Sequence, residues 1–125
     1  MRDLLTISKA LNDETRIRLL SALRDGELCV CQVVELLELA PSTVSRHLDL
    51  LHQARLVERR KDGRWHYYRL AAGRDVPAVV RQALRWVLSN VDEEKVIVTD
   101  AKRLCCIREK TPEELTSCYR TPAKN

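Results

Sequence analysis

Cysteine is the residue type in this 125-residue chain whose spacing most directly suggests chemistry. Cys29 and Cys31 stand one residue apart, Cys105 and Cys106 are adjacent, and Cys118 lies near the end. Deprotonated thiols bind soft metal ions, and close pairs of thiols are readily oxidised. Five cysteines, four of them in close pairs, therefore indicate a metal or redox site rather than a disulfide framework or scattered buried thiols.

The remaining composition is that of one small globular domain. The chain is 45% hydrophobic and 32% charged and contains no Phe, so Leu, Val and Ile must fill its core. Its longest apolar run is far below the roughly 18 residues of a membrane span, and its N-terminus MRDLLTIS lacks the features of a signal peptide. We expect a cytoplasmic protein, whose thiols are kept reduced.

Positive charge is concentrated in residues 55–69, which hold six basic and two acidic residues, an excess equal to the chain's whole net charge of +4. Such a segment predicts contact with nucleic-acid phosphates. The dipeptide Asp62-Gly63 predicts a hairpin with arms at about 56–61 and 64–70. The hairpin residues expected to contact phosphate or lie along the minor groove are Arg59, Arg60, Lys61 and Arg64.

Apolar periodicity predicts five helices around this hairpin. Four cover about 2–12, 14–24, 29–38 and 75–91, and the fourth in chain order begins near Pro41 and buries Val44, Leu48 and Leu51. The third and fourth are joined by a short turn, and the fourth has small polar and basic side chains in its first turns, which is typical of a helix-turn-helix. Its expected DNA contacts are Ser42, Thr43, Ser45, Arg46 and His47. Arg46 suits a bidentate contact to guanine, whereas Ser42 and Thr43, which can also cap the helix, suit phosphate.

These features predict a mainly α-helical winged helix-turn-helix domain with a small β-hairpin wing over residues 1–91. We expect a homodimer through the N- and C-terminal helices, bound to double-stranded operator half-sites about 34 Å apart. The alternatives are a solvated polar helix and hairpin, and end helices that only close the monomer core. Residues 92–125 are expected to form a cysteine-containing, partly disordered extension, in which 96–107 could be helix or strand. No catalytic constellation is visible, so we expect no enzyme.

The stretches DETRIRLLSAL, GELCVCQVVELL, STVSRHLDLLHQARLV and DGRWHYYRL resemble the ArsR/SmtB family of metal-responsive repressors. The resemblance covers residues 1–91 and implies a winged-helix homodimer that leaves its operator when a metal binds. The ELCVC stretch is similar to the arsenite- and antimonite-sensing branch, which implies that Cys29 and Cys31 bind As(III) or Sb(III), with no organic cofactor. Val34 stands where that branch sometimes has a third cysteine. The last long helix lacks the His of zinc-sensing members.

The spacing of Cys29 and Cys31 suggests a mechanism. Residues i and i+2 of a continuous helix point about 200° apart, so binding one ion should distort the first turn of the third helix and weaken its support of the DNA-reading helix.

As(III) prefers three thiolates, and the third ligand is left open among Cys105, Cys106 and Cys118. We expect the adjacent pair before Cys118, which lies where disorder is predicted to begin; a separate tail site and adventitious binding are alternatives. Rival functions are a Cd(II), Pb(II) or Zn(II) sensor, a thiol-redox repressor, and arsenite sequestration, which the basic wing disfavours.

Overall fold

The computed structural model describes residues 1–115. The elements within this range are α1 Arg2–Leu11, α2 Glu14–Ala22, a 3-10 turn at Leu23–Asp25, β1 Leu28–Cys29, α3 Val30–Leu37, α4 Pro41–Gln53, β2 Val57–Asp62, β3 Trp65–Leu70, α5 Ala78–Val91 and α6 Lys95–Arg108. The predicted helices and hairpin are confirmed, and segment 96–107 is helical. Within the described range, no helix is both long and apolar enough to cross a membrane.

Short side-chain and backbone signals set the helix boundaries. Asp13 caps α2 by accepting a hydrogen bond from the backbone N–H of Arg16 at 3.1 Å. Ala40, not a hydroxyl residue, occupies the N-cap of α4, and Pro41 follows at the start of the helix, where a missing N–H costs nothing. The expectation that Ser42 and Thr43 cap α4 is therefore wrong, because both already lie inside its first turn.

The three strands form an antiparallel sheet in the order β1-β3-β2. The pairing of Asp62 with Trp65 leaves Gly63 and Arg64 as the turn, one residue later than predicted. Gly63 has φ +62°, which glycine adopts without strain. Strand β1, which the sequence pattern does not predict, pairs through Leu28 with Tyr68 and through Cys29 with Tyr67.

Leucine and valine side chains fill the core, as the absence of Phe requires. Leu19 and Leu20 of α2 and Leu48 and Leu51 of α4 are completely buried. By contrast, α1 exposes Leu4 and Leu5 at 52% and 56%, and α5 exposes Trp86 at 65%. The first and last helices of the predicted 1–91 domain therefore keep apolar surface outside the monomer core.

Helix α6 packs on α2 and α3 and is anchored by polar contacts. Arg18 of α2 donates two hydrogen bonds to the buried carboxylate of Asp100, at 2.8 and 3.0 Å. Arg103 donates to the carbonyl of Leu36 at 2.8 Å, near the end of α3, where the last carbonyls have no partner within the helix. Arg108 donates to the carbonyl of Glu27 at 3.1 Å. The division at residue 91 and partial disorder beyond it stay predictions.

We expect Asp100→Ala to lower the free energy of unfolding by about 2 kcal/mol, because it leaves the mostly buried Arg18 guanidinium without its carboxylate. Urea denaturation of the full chain at fixed protein concentration measures this change. The control is Asp92→Ala, which removes the exposed ion pair with Arg24 and should cost less than about 1 kcal/mol. Equal losses in the two variants would show that the pair of Arg18 and Asp100 is no special anchor of α6.

Candidate functional site

The first turns of α4 present the side chains predicted to read DNA. Ser42, Ser45 and Arg46 are exposed, whereas Thr43 and His47 are half-buried. His47 faces α2, because its Nδ1 lies 3.1 Å from Nη1 of Arg16. A guanidinium can only donate, so Nδ1 accepts and the ring holds α2 against α4. Of the five predicted contacts, the structure thus leaves Ser42, Ser45 and Arg46 exposed and places His47 partly in a structural contact.

The wing arginines differ in what they contact. Lys61 and Arg64 are exposed, and neither forms an ion pair with a carboxylate in the described part of the chain. Arg64 stacks on the ring of Trp65, with 4.7 Å from its Cζ to the ring centre. Arg59 reaches Asp49 of α4, with 3.7 Å between its Nη1 and Oδ1 of the carboxylate.

Arg60 is held by a carboxylate and by an aromatic ring. Its Nε donates to Oε2 of Glu27 at 2.9 Å, and its Nη2 donates to the other oxygen of the same carboxylate. Its guanidinium lies 4.3 Å from the centre of the Tyr67 ring. The bond from Arg60 lowers the pKa of Glu27 and raises the pKa of Arg60, so both groups are charged at neutral pH.

Cys29 and Cys31 lie at the junction of β1 and α3. Cys29 is the N-cap of α3, with extended backbone at φ −80° and ψ 160°, and its N–H donates to Oε1 of Gln32 at 2.9 Å. Cys31 lies in the first turn of α3, and a disulfide joins the two sulfurs across a Cα–Cα distance of 5.4 Å.

This arrangement corrects the expectation that the two sulfurs converge only if the first turn of α3 is distorted. The expectation placed Cys29 inside the helix, whereas its backbone is extended. Its side chain therefore does not follow the 100° rotation per residue that separates i and i+2 in a helix. The sulfurs meet while Val30–Leu37 remains helical, so the strained first turn proposed as the mechanism has no basis in the structure.

The cysteine pair is buried between the C-terminal segment and the DNA-binding elements. Cys29 and Cys31 are 1% and 3% exposed and form a small apolar cluster with Leu115, against which Tyr67 packs. Both cysteines also line a cavity of about 350 Å³ that Ser45 of α4 and Arg64 of the wing share. A change at the sulfurs is therefore next to both elements predicted to contact DNA.

The other thiols lie elsewhere or outside the described residues. Cys105 and Cys106 are exposed and free on α6, and Cys118 lies outside residues 1–115. Within those residues, no three His, Cys, Asp or Glu side chains come close enough together to bind one metal ion. The structure thus brings Cys29 and Cys31 together and does not bring Cys105 or Cys106 to them.

Comparison with known sequences and structures places this geometry in a family. Residues 13–59, from the N-cap of α2 into β2, match the model of the bacterial regulatory protein arsR family. The arsenic resistance transcriptional regulator ArsR1 of Pseudomonas putida is 38% identical over 122 residues, which cover 94% of this chain and 91% of that protein. A cadmium resistance regulator, the CadC homolog of Staphylococcus aureus, is 41% identical over 69 residues, or 54% of this chain and 57% of that protein.

A solved structure supports the same conclusion. The homodimeric winged helix-turn-helix domain of Mb0332 from Mycobacterium bovis superposes with a TM-score of 0.61 at 28% identity, over 74% of this chain and 81% of that chain. The predicted resemblance and winged helix-turn-helix fold are confirmed. The chain belongs to the arsR family of bacterial regulatory proteins, and it is a DNA-binding transcriptional regulator rather than an enzyme.

Proposed function

We propose that this regulator is a homodimeric operon repressor that leaves its operator when As(III) or Sb(III) binds the thiolates of Cys29 and Cys31. The observation that carries the proposal is the position of the cysteine pair, which joins β1 to α3 and lines a cavity shared with α4 and the wing. The name of the Pseudomonas putida relative supports an arsenical as the signal. The reduced pair would be the resting form in the cytoplasm.

The pairing of β1 explains how metal binding opposes DNA binding. Cys29 pairs in the sheet opposite Tyr67, whereas Cys31 belongs to α3, which packs against α4. An arsenic atom between two sulfurs fixes their separation and direction, and the N-terminus of α3 favours the thiolate form of its ligands. Binding thereby sets the position of the wing relative to α4. If the metal-bound position of the wing fits the operator less well than the metal-free position, metal binding weakens operator binding.

Cys118 is our candidate for the third thiolate. Leu115 touches the cysteine pair, and three further residues of chain span at most about 11 Å. Cys105 and Cys106 lie exposed on α6, so we assign them a secondary role as weak or adventitious ligands. The order of preference among the tail cysteines is thus the reverse of the order expected from sequence.

The apolar surfaces of α1 and α5 support dimerisation. Leu4, Leu5 and Trp86 are exposed on these two helices, and the similar Mb0332 domain is homodimeric. Two copies joined there would present two α4 helices to one operator, with Arg46 of each at the base edges and the exposed wing cations on phosphates. Lys61 and Arg64 are the wing residues that we assign to phosphate.

A second candidate function is thiol-redox sensing. The disulfide between Cys29 and Cys31 favours it, since it shows that the pair can be joined without loss of α3. Oxidation would transfer two electrons and two protons from the dithiol to a peroxide, which would be reduced to two waters or, for an organic peroxide, to an alcohol and one water. A Cd(II), Pb(II) or Zn(II) sensor is a third candidate, favoured by the similarity to the cadmium resistance regulator.

We expect arsenite to release the reduced protein from DNA of its own promoter, and Cys29→Ser/Cys31→Ser to bind the same DNA without being released. The reason is that serine cannot replace a thiolate as a ligand of As(III). Fluorescence anisotropy of labelled DNA measures release, with cadmium and peroxide titrated in parallel. Release by peroxide that dithiothreitol reverses identifies the redox candidate, and release by cadmium alone identifies another metal. If arsenite still releases the double variant, the sensing site is not this pair.

The tail cysteines can be separated by the same measurement. We expect Cys118→Ser to raise the arsenite concentration needed for half-release by at least about tenfold, since one As–S bond is lost, and Cys105→Ser/Cys106→Ser to leave it unchanged. X-ray absorption of the arsenic-bound protein should count three sulfurs in wild type and two in Cys118→Ser. The reverse pattern would assign the third thiolate to α6.

We expect Arg46→Ala to reduce the ratio of operator affinity to non-specific affinity by about tenfold or more, because a bidentate contact to guanine discriminates bases by about 1–3 kcal/mol. Lys61→Ala is the contrasting variant, which should weaken binding to both DNAs alike and reduce the salt slope by about one. Competition binding at several salt concentrations measures both. An equal loss on both DNAs in Arg46→Ala would place Arg46 on the phosphate backbone.

A further inference from the structure

One row of side chains crosses the sheet from the cysteine site to the outer wing strand. Cys29 of β1 pairs with Tyr67 of β3, and Tyr67 pairs with Arg60 of β2. Directly paired residues of neighbouring antiparallel strands project to the same face of the sheet. Accordingly, Tyr67 packs against the cluster of Cys29, Cys31 and Leu115, and its ring carries the guanidinium of Arg60.

Glu27 connects the two ends of this row, because it binds Arg60 and is close to Cys29 in the chain. It stands two residues before Cys29 and holds Arg60 through two hydrogen bonds to its carboxylate. Its own carbonyl is held by Arg108 of α6, which also donates to the carbonyl of Gly26 at 3.2 Å. The backbone that leads into β1 is thus bound to α6 through Arg108. The side-chain carboxylate of Glu27 binds the wing through Arg60.

Every nitrogen of the Arg60 guanidinium already faces a carboxylate. Nε and Nη2 bond to Glu27, and Nη1 lies 3.9 Å from Asp62. A phosphate contact would require Arg60 to give up a bidentate bond and its position on the Tyr67 ring. Lys61, its neighbour on the same strand, has no such carboxylate partner within the described range and is exposed.

We propose that Arg60 is a positioning residue that couples the cysteine pair to the wing, with Glu27 and Tyr67 as the groups that hold it. This inference rests on the proposed function. Displacement of Cys29 moves Tyr67 through the strand pairing and moves Glu27 through two residues of chain. Since both groups hold Arg60, strand β2 follows the cysteine site, and the wing cations next to Arg60 change their position relative to α4.

The test separates operator affinity from its response to arsenite. Reduced full-length wild type, Glu27→Gln and Arg60→Lys are compared by anisotropy on promoter DNA, with and without arsenite and at several salt concentrations. Arg60→Lys keeps the charge and loses the bidentate bond. The matched control is Glu58→Gln, which removes another exposed wing pair, to Arg69 at 2.9 Å, that involves no residue of β1.

We expect both test variants to bind arsenite-free operator within about twofold of wild type and with the same salt slope. Arsenite should weaken their operator binding at least about fivefold less than it weakens that of wild type, well within the usual range of allosteric coupling. Glu58→Gln should match wild type in both respects. Unchanged coupling in Glu27→Gln and Arg60→Lys, with release intact in wild type, overturns this inference alone. Failure of arsenite to release wild type overturns the proposed function and the coupling role together.

Discussion

The backbone pairing of two residues, Leu28 and Cys29, with the second strand of the wing is the constraint on which the arrangement of the site depends. This pairing holds Cys29 in extended conformation at the start of α3 and makes the hairpin a three-stranded sheet. An isolated two-stranded hairpin is marginally stable in water, so the added strand also stabilises the wing. Because Cys29 both caps α3 and extends the sheet, it cannot move without changing one of these elements.

Charge in residues 55–69 serves two purposes that the sequence does not distinguish. In the sequence, this segment holds six basic and two acidic residues. In the structure, Arg59 and Arg60 are directed toward Asp49 and Glu27 and so tie the wing to the domain. In our proposal, the cations left for phosphate are therefore fewer than the composition indicates. Orientation of the wing and attraction to DNA would then come from different members of one basic segment.

Most of the fold could be predicted from the sequence because its helices carry strong apolar periodicity and its hairpin has an Asp-Gly signal. Strand β1 could not, since two residues are too short to show the alternation that marks a strand. The sequence also places Cys29 inside the third helix, because the apolar stripe of Val30, Val33, Val34 and Leu37 begins directly after it. Helix α6 was ambiguous because arginine and aspartate contacts, rather than an apolar stripe alone, hold it in place. The roles of Glu27 and Tyr67 depend on cross-strand register, which one sequence does not provide.

The burial of the cysteine pair beneath Leu115 would affect the rates at which a metal ion binds and leaves, rather than its affinity. In the proposed function, an ion meets sulfurs that belong to residues only 1% and 3% exposed, with Leu115 and Tyr67 packed against them. Capture would then proceed through a minor population in which these contacts are open, and its rate would level off once that opening becomes slower than encounter. The same contacts would slow escape of a bound ion. Derepression would thus begin after a delay set by the protein and would outlast a brief exposure to the metalloid.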